Sequence, residues 1–188
     1  AYADIDLSYS VLISRMNEIA ALYSANALLQ LCSRNDLKKG RGSQVTLPVE
    51  IISDQEYQFW RCLEMTCESD IIDDMVTSKH LHERLNRSLK SLSESVTVGK
   101  TELNILTRFG ENMKNILTGN VDPIELLFPK GDLTYGLEFY QESEAAKVLN
   151  NVIGHFLKHM FPLNTKENIR ILEIGGGTGA TTENVLKA

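Results

Sequence analysis

From Ser8 to Ser33 apolar residues return every three or four positions, at Leu12, Met16, Ile19 and Tyr23, which predicts a long amphipathic helix ending near Asn35. After Pro48, Asp54 is placed to start a helix that carries Trp60, Leu63 and Cys67 on one face, with Trp60 in the core, and the acidic cluster Glu68 to Asp74 closes it. Leu81, Leu85, Leu89 and Leu92 mark another helix. Ser93 to Lys100 is rich in Ser, Thr and Val and reads as a loop or short strand, with room for a small winged-helix-like unit. Leu103, Leu106, Phe109, Met113 and Leu117 mark the next helix, with Gly119 at its C′ position. Asp122, Pro123 and Glu125 then read as the N-cap, N1 and N3 of a short helix. Ala145, Leu149, Val152, Ile153, Phe156 and Met160 share one side of a last long helix from about Glu142 to Met160, with Pro162 just beyond it.

The period changes at about Asn168. Ile169, Ile171, Leu172 and Ile174 form a nearly continuous apolar run, as expected of a strand buried on both faces of a parallel sheet. A glycine loop and the start of a helix follow. The pattern therefore predicts a mainly α chain: a helical region over residues 1–167, then over 168–188 the strand, loop and helix that open an α/β unit. A lone βα unit leaves its strand edges and apolar faces uncovered, so it is expected to dock on something.

Composition narrows the field. The chain has 188 residues, 43% hydrophobic and 23% charged, as in ordinary globular proteins, and no apolar run long enough to span a bilayer. A net charge of −6 without a basic stripe gives no reason to expect nucleic-acid binding. The polar segment Lys38 to Gln44 reads as a solvated loop. Cys32, Cys62 and Cys67 match neither a zinc site nor a redox pair, so free thiols in a reducing cytosolic setting are expected. The start, Ala1 to Ile5, lacks the features of a secretion signal and looks like an excised boundary.

The candidate chemistry lies in the loop. Gly175, Gly177 and Gly179 alternate at a strand-to-helix turn, where glycine permits positive φ and lets a ligand touch main chain. Glu173, at the carboxyl end of the strand, is placed to hold a cationic group such as a methionyl ammonium. Thr178, Thr181 and Thr182 surround the helix start, where free N–H groups attract a carboxylate, although capping alone would account for them. Gly175, Gly177 and Ala180 also satisfy a dinucleotide fingerprint, whose acidic residue about 20 positions further on would fall past Ala188. A glycine-rich turn that binds nothing is the third reading.

The run Glu173-Ile-Gly-Gly-Gly-Thr-Gly179 resembles the Glu-x-Gly-x-Gly-x-Gly pattern of S-adenosylmethionine-dependent methyltransferases with a Rossmann-like sheet. With Ile171 to Thr182 around it, it is similar to the carbon-methyltransferase domains of modular polyketide synthases and related megasynthases, differing by Gly176 in place of the commoner alanine and Ala180 in place of glycine. Leu117 to Gly131, then Tyr140, Asn150 and Asn151, resemble the lid of the same domains. The resemblance covers about a third of the chain. It implies a helical lid over a Rossmann-like core that transfers a methyl group from S-adenosylmethionine to the α-carbon of a β-ketoacyl group on an acyl carrier protein, among neighbouring synthase domains.

On that resemblance Glu173, Gly175, Gly176, Gly177, Thr178 and Gly179 are expected to bind the cofactor, and Tyr140 to close over it; a packed boundary tyrosine is the plain alternative. The family's catalytic His and its acidic partner follow the glycine loop, so no catalytic residue is assigned here and the chain alone is expected to be inactive. It is either part of a longer methyltransferase, docked on the remainder of its core, or a truncated one kept as a structural adaptor. An NAD-dependent fragment is the further alternative. His155 and His159 share a helix face but lack the glutamate of a zinc-protease motif, and His80 and His82 diverge, so no metal is expected. Asp122 and Glu125 are read as capping rather than acid–base residues, and no nucleophile motif is present.

Overall fold

Leu12, Met16, Ile19 and Tyr23 all lie buried along α1 (Leu7–Leu28) in the computed structural model, which describes residues 7–38, 45–69, 71, 78–95, 98–161 and 170–187. The second half of α1 is buried on further faces as well, through Ala21, Leu22, Ala25, Ala27 and Leu28. A helix wrapped on several sides sits at the centre of its domain. The helix stops at Leu28, short of the expected end near Asn35, and a turn leads to α2 (Arg34–Lys38). Ser33 accepts from the Asp36 amide there, as an N-cap does.

Around α1 stand α3 (Glu56–Glu68, preceded by a 3-10 turn Ser53–Gln55), α4 (Ser78–Ser95) and α5 (Lys100–Leu117), and all three pack on it. Leu81, Leu85 and Leu92 of α4 and Leu103 of α5 join one end of α1 in a first core; Phe59, Cys62 and Leu63 of α3 join its other end, with Leu37 and Leu117, in a second. Gly110 of α5 permits close approach, because a Cβ there would lie 2.2 Å from the Tyr23 ring. Gly119 ends α5 with φ +73° and donates to the Ile116 carbonyl, the C′ role expected of it.

Trp60 is not in the core. It is 37% exposed, its indole donating to Glu56, while Phe59 beside it is fully buried. The buried face runs Phe59, Cys62, Leu63, Thr66, a regular helical stripe in which Thr66 is accommodated because its hydroxyl donates to the Cys62 carbonyl at 2.7 Å.

Two compact units divide the chain, Ala1–Leu126 and Leu127–Ala188. The short α6 (Pro123–Leu127) starts as expected, with Asp122 accepting from the Ile124 amide at 2.8 Å. The second unit holds α7 (Thr134–Leu137), a π-helical turn Glu138–Glu142, α8 (Glu144–Met160) and α9 (Ala180–Leu186). Ser143 is buried and caps α8 by accepting from the Ala146 amide. The apolar side of α8 is not covered: Leu149 is 64% and Phe156 59% exposed.

Regular structure among the described residues is helical throughout, and the expected strand is absent from them. Residues 170–173 are irregular, and Leu172 and Ile174 are exposed. A strand exists through a ladder with a neighbour, and no described segment offers one here. Ile169 and Pro162, the boundary at about residue 168, the loop at 39–44, most of the acidic cluster (70 and 72–74), residues 96–97 and the start at 1–5 lie outside the described residues. No described helix is long and apolar enough to cross a membrane.

Two outcomes follow from this packing. Phe59→Ala should lower unfolding stability by about 3–5 kcal/mol, as loss of a fully buried aromatic does, and Trp60→Ala by about 1 kcal/mol or less, measured by urea denaturation. Burial, then Asp36 and Glu50, push the Cys32 thiol up to about 11, and burial raises Cys62. A raised pKa keeps the thiol protonated at neutral pH. In a Cys67→Ser background, modification by Ellman's reagent at pH 8 should therefore be slow in the folded chain and complete in denaturant.

Candidate functional site

The glycine loop forms one side of a cavity of about 790 Å³ in the second unit, within the range of small-molecule sites, about 300–1,000 Å³. Gly175, Gly176, Gly177 and Thr178 line that side. Leu149, Asn150 and Ile153 of α8 and Ala180 and Thr181 of α9 line the cavity as well. Phe128, Leu133, Tyr140 and Ala146 complete the lining. Gly136 sets Phe128 in place, since a Cβ on Gly136 would lie 2.1 Å from the Phe128 ring.

Main chain is bare along the loop. Gly175, Gly177 and Gly179 have φ of +78°, +54° and +76°, values that L side chains rarely adopt. A Cβ built on Gly175 or Gly179 meets nothing within 4 Å. The turn is nonetheless ordered by a hydrogen bond from the Gly179 amide to the Gly176 carbonyl at 2.8 Å.

Of the residues expected to bind a cofactor, Tyr140, Gly175, Gly176, Gly177 and Thr178 are brought together around this cavity. Gly179 and Glu173 are not in its lining. Gly179 serves instead as the left-handed residue at the start of α9. The Glu173 carboxylate accepts from the Thr182 hydroxyl, which folds it back towards α9. Capping therefore does not account for Thr181 and Thr182: Thr182 bonds Glu173, and Thr181 donates to Asn150 Oδ1 at 2.9 Å.

Tyr140 sits in the π-helical turn, half-exposed, with its ring edge-on to Phe139 at 5.3 Å. Such turns recur at functional sites, because the extra residue re-aims a side chain. The sequence pattern gave no sign of it. Asn150 is a residue that the pattern did not single out as a contact: it is buried and bonded at both ends of its amide.

The histidines and acidic pairs do not assemble. His80, His82, His155 and His159 are exposed, His155 bonding the Asn151 carbonyl, and among the described residues no His, Cys, Asp or Glu cluster has the makings of a metal site. Asp122 is occupied in capping α6.

No protein-family profile matches the chain. Individual relatives do. It is 36% identical over 97 residues to the highly reducing polyketide synthase ACRTS2 of Alternaria alternata, and 37% identical over 92 residues to the non-reducing polyketide synthase esdpA of Penicillium shearii. A third match, at 31% over 113 residues, is the non-reducing polyketide synthase adrD of Penicillium roqueforti. These alignments take in 52%, 46% and 59% of this chain and 4% of each relative, so the chain spans a small fraction of their length. Among solved structures, that of the CurJ carbon methyltransferase superposes on 97% of this chain and 51% of its own, with a TM-score of 0.72 and 25% identity. By sequence, then, the chain is similar to a small part of polyketide synthases, and by fold to the CurJ carbon methyltransferase.

Proposed function

We propose that the chain is the N-terminal portion of a polyketide synthase carbon-methyltransferase domain, comprising a helical lid over residues 1–167 and the start of the S-adenosylmethionine-binding core over 168–188. The reaction would place a methyl group on the α-carbon of a β-ketoacyl chain carried by an acyl carrier protein, beside neighbouring synthase domains. The observation that carries this reading is the bare glycine main chain facing an open cavity with Tyr140 in its lining.

The residues present fit the cofactor. Side-chain-free positions at Gly175 and Gly177 allow a nucleoside or its methionyl tail to lie against the backbone, and Leu149, Ile153 and Phe128 supply apolar walls. Thr178 and Tyr140 add hydroxyls at the cavity for orientation. Glu173 would meet the cationic end once its carboxylate leaves the Thr182 hydroxyl. S-adenosylmethionine supplies, when bound, an electrophilic methyl group on a sulfonium. The task of this chain's residues is to hold and orient it and to keep water away.

A second reading, a non-catalytic adaptor between synthase domains, is favoured by the uncovered apolar side of α8 and by Leu172 and Ile174, which suit a partner's apolar surface. Calorimetric titration separates the readings, with NAD as the control for the dinucleotide alternative. The chain should bind S-adenosylmethionine and not NAD; binding of neither would leave the adaptor. Gly177→Val puts a β-branched side chain at φ +54° on the cavity wall and should weaken donor binding at least about tenfold.

A further inference from the structure

Asn150 is the only buried residue of α8, 6% exposed on a helix whose Leu149, Val152, Ile153, Phe156 and Met160 are exposed. Stability of the helix does not call for a buried amide there, and such a group is tolerated only when its polar atoms find partners. Both do: Asn150 Oδ1 accepts from the Thr181 hydroxyl at 2.9 Å, and Nδ2 donates to the Tyr140 carbonyl at 3.3 Å. The two ends of this bridge are two residues of the cavity lining. Thr181 is the second residue of α9, two positions after the left-handed Gly179 whose amide closes the loop on Gly176.

Resting on the reading of the cavity as a cofactor site, we infer that Asn150 is its positioning residue. It sets the distance between the glycine loop and the Tyr140 turn by holding the Thr181 hydroxyl on one side and the Tyr140 main chain on the other. A second link between these segments, Gln141 Nε2 to Glu183 Oε2 at 3.3 Å, is exposed and competes with water. The buried bridge is the stronger constraint. Asn151, adjacent in sequence, faces solvent and offers its carbonyl to His155, so the role belongs to Asn150 alone of the pair.

The test uses the full chain. In titrations with S-adenosylmethionine, Asn150→Ala and Thr181→Val should each weaken binding about tenfold, Thr181→Ser should stay within about twofold of the parent, and far-ultraviolet circular dichroism should keep its helical signal. The double variant Asn150→Ala with Thr181→Val should bind no more weakly than Asn150→Ala alone, because the bond that Thr181→Val removes is already lost in Asn150→Ala. Losses that multiply, or single variants that bind as the parent does, overturn the assignment. Hydrogen exchange at the Gly179 amide of the ligand-free chain gives a readout independent of the cofactor. Exchange should quicken in Thr181→Val and Asn150→Ala and not in Thr181→Ser, and unchanged protection in the first two overturns the positioning role. A parent chain that fails to bind the donor yet shows the Gly179 response sinks the cofactor reading alone.

Discussion

Three left-handed residues in a span of five, Gly175, Gly177 and Gly179, are the constraint on which the second unit depends. A side chain at such φ costs about 1–2 kcal/mol, so the path of the loop is open to glycine and nearly closed to anything else. Gly179 begins α9 without a side-chain cap, and the threonine hydroxyls in the first turn take partners outside it. Thr181 reaches Asn150 on α8 and Thr182 reaches Glu173 before the loop.

The first unit uses missing Cβ atoms differently. Gly110 is an ordinary helical residue, and its value lies in letting α5 approach the Tyr23 ring on α1. With that approach α1 is enclosed by α3, α4 and α5, and both cores of the unit contain its residues. Packing of this sort is costly to alter, since interiors are filled nearly as densely as organic crystals. The same absence of a side chain thus serves contact between helices in one unit and leaves main chain bare beside a cavity in the other.

Helices were legible wherever the apolar period was clean, at Leu81 to Leu92 and at Leu103 to Leu117, and so were the stops at Gly119 and Asp122, whose chemistry is local. Trp60 misled because Phe59 and Trp60 are neighbours, and size favours tryptophan. The decisive member of the stripe was Thr66, a polar residue hidden by a bond to its own helix. Ile171, Leu172 and Ile174 have the composition of a buried strand, yet composition cannot supply the neighbouring strand that a ladder requires. The loop glycines were readable as bare main chain, and Gly175, Gly176 and Gly177 do line a cavity. Asn150 belonged to a recognisable segment, but its bond to Thr181 joins residues 31 positions apart, and no local pattern encodes such a distance.

The π-helical turn at Glu138–Glu142 holds one residue more than an α-helix would need to cover the same rise. Shortening that stretch by a single position would restore regular winding, and each step of a regular helix turns a side chain by about 100°. Tyr140 would then swing away from the glycines while every other helix kept its register. The reach of that ring is thus written in segment length as much as in residue identity, and a relative lacking one position there would keep the fold and lose the wall.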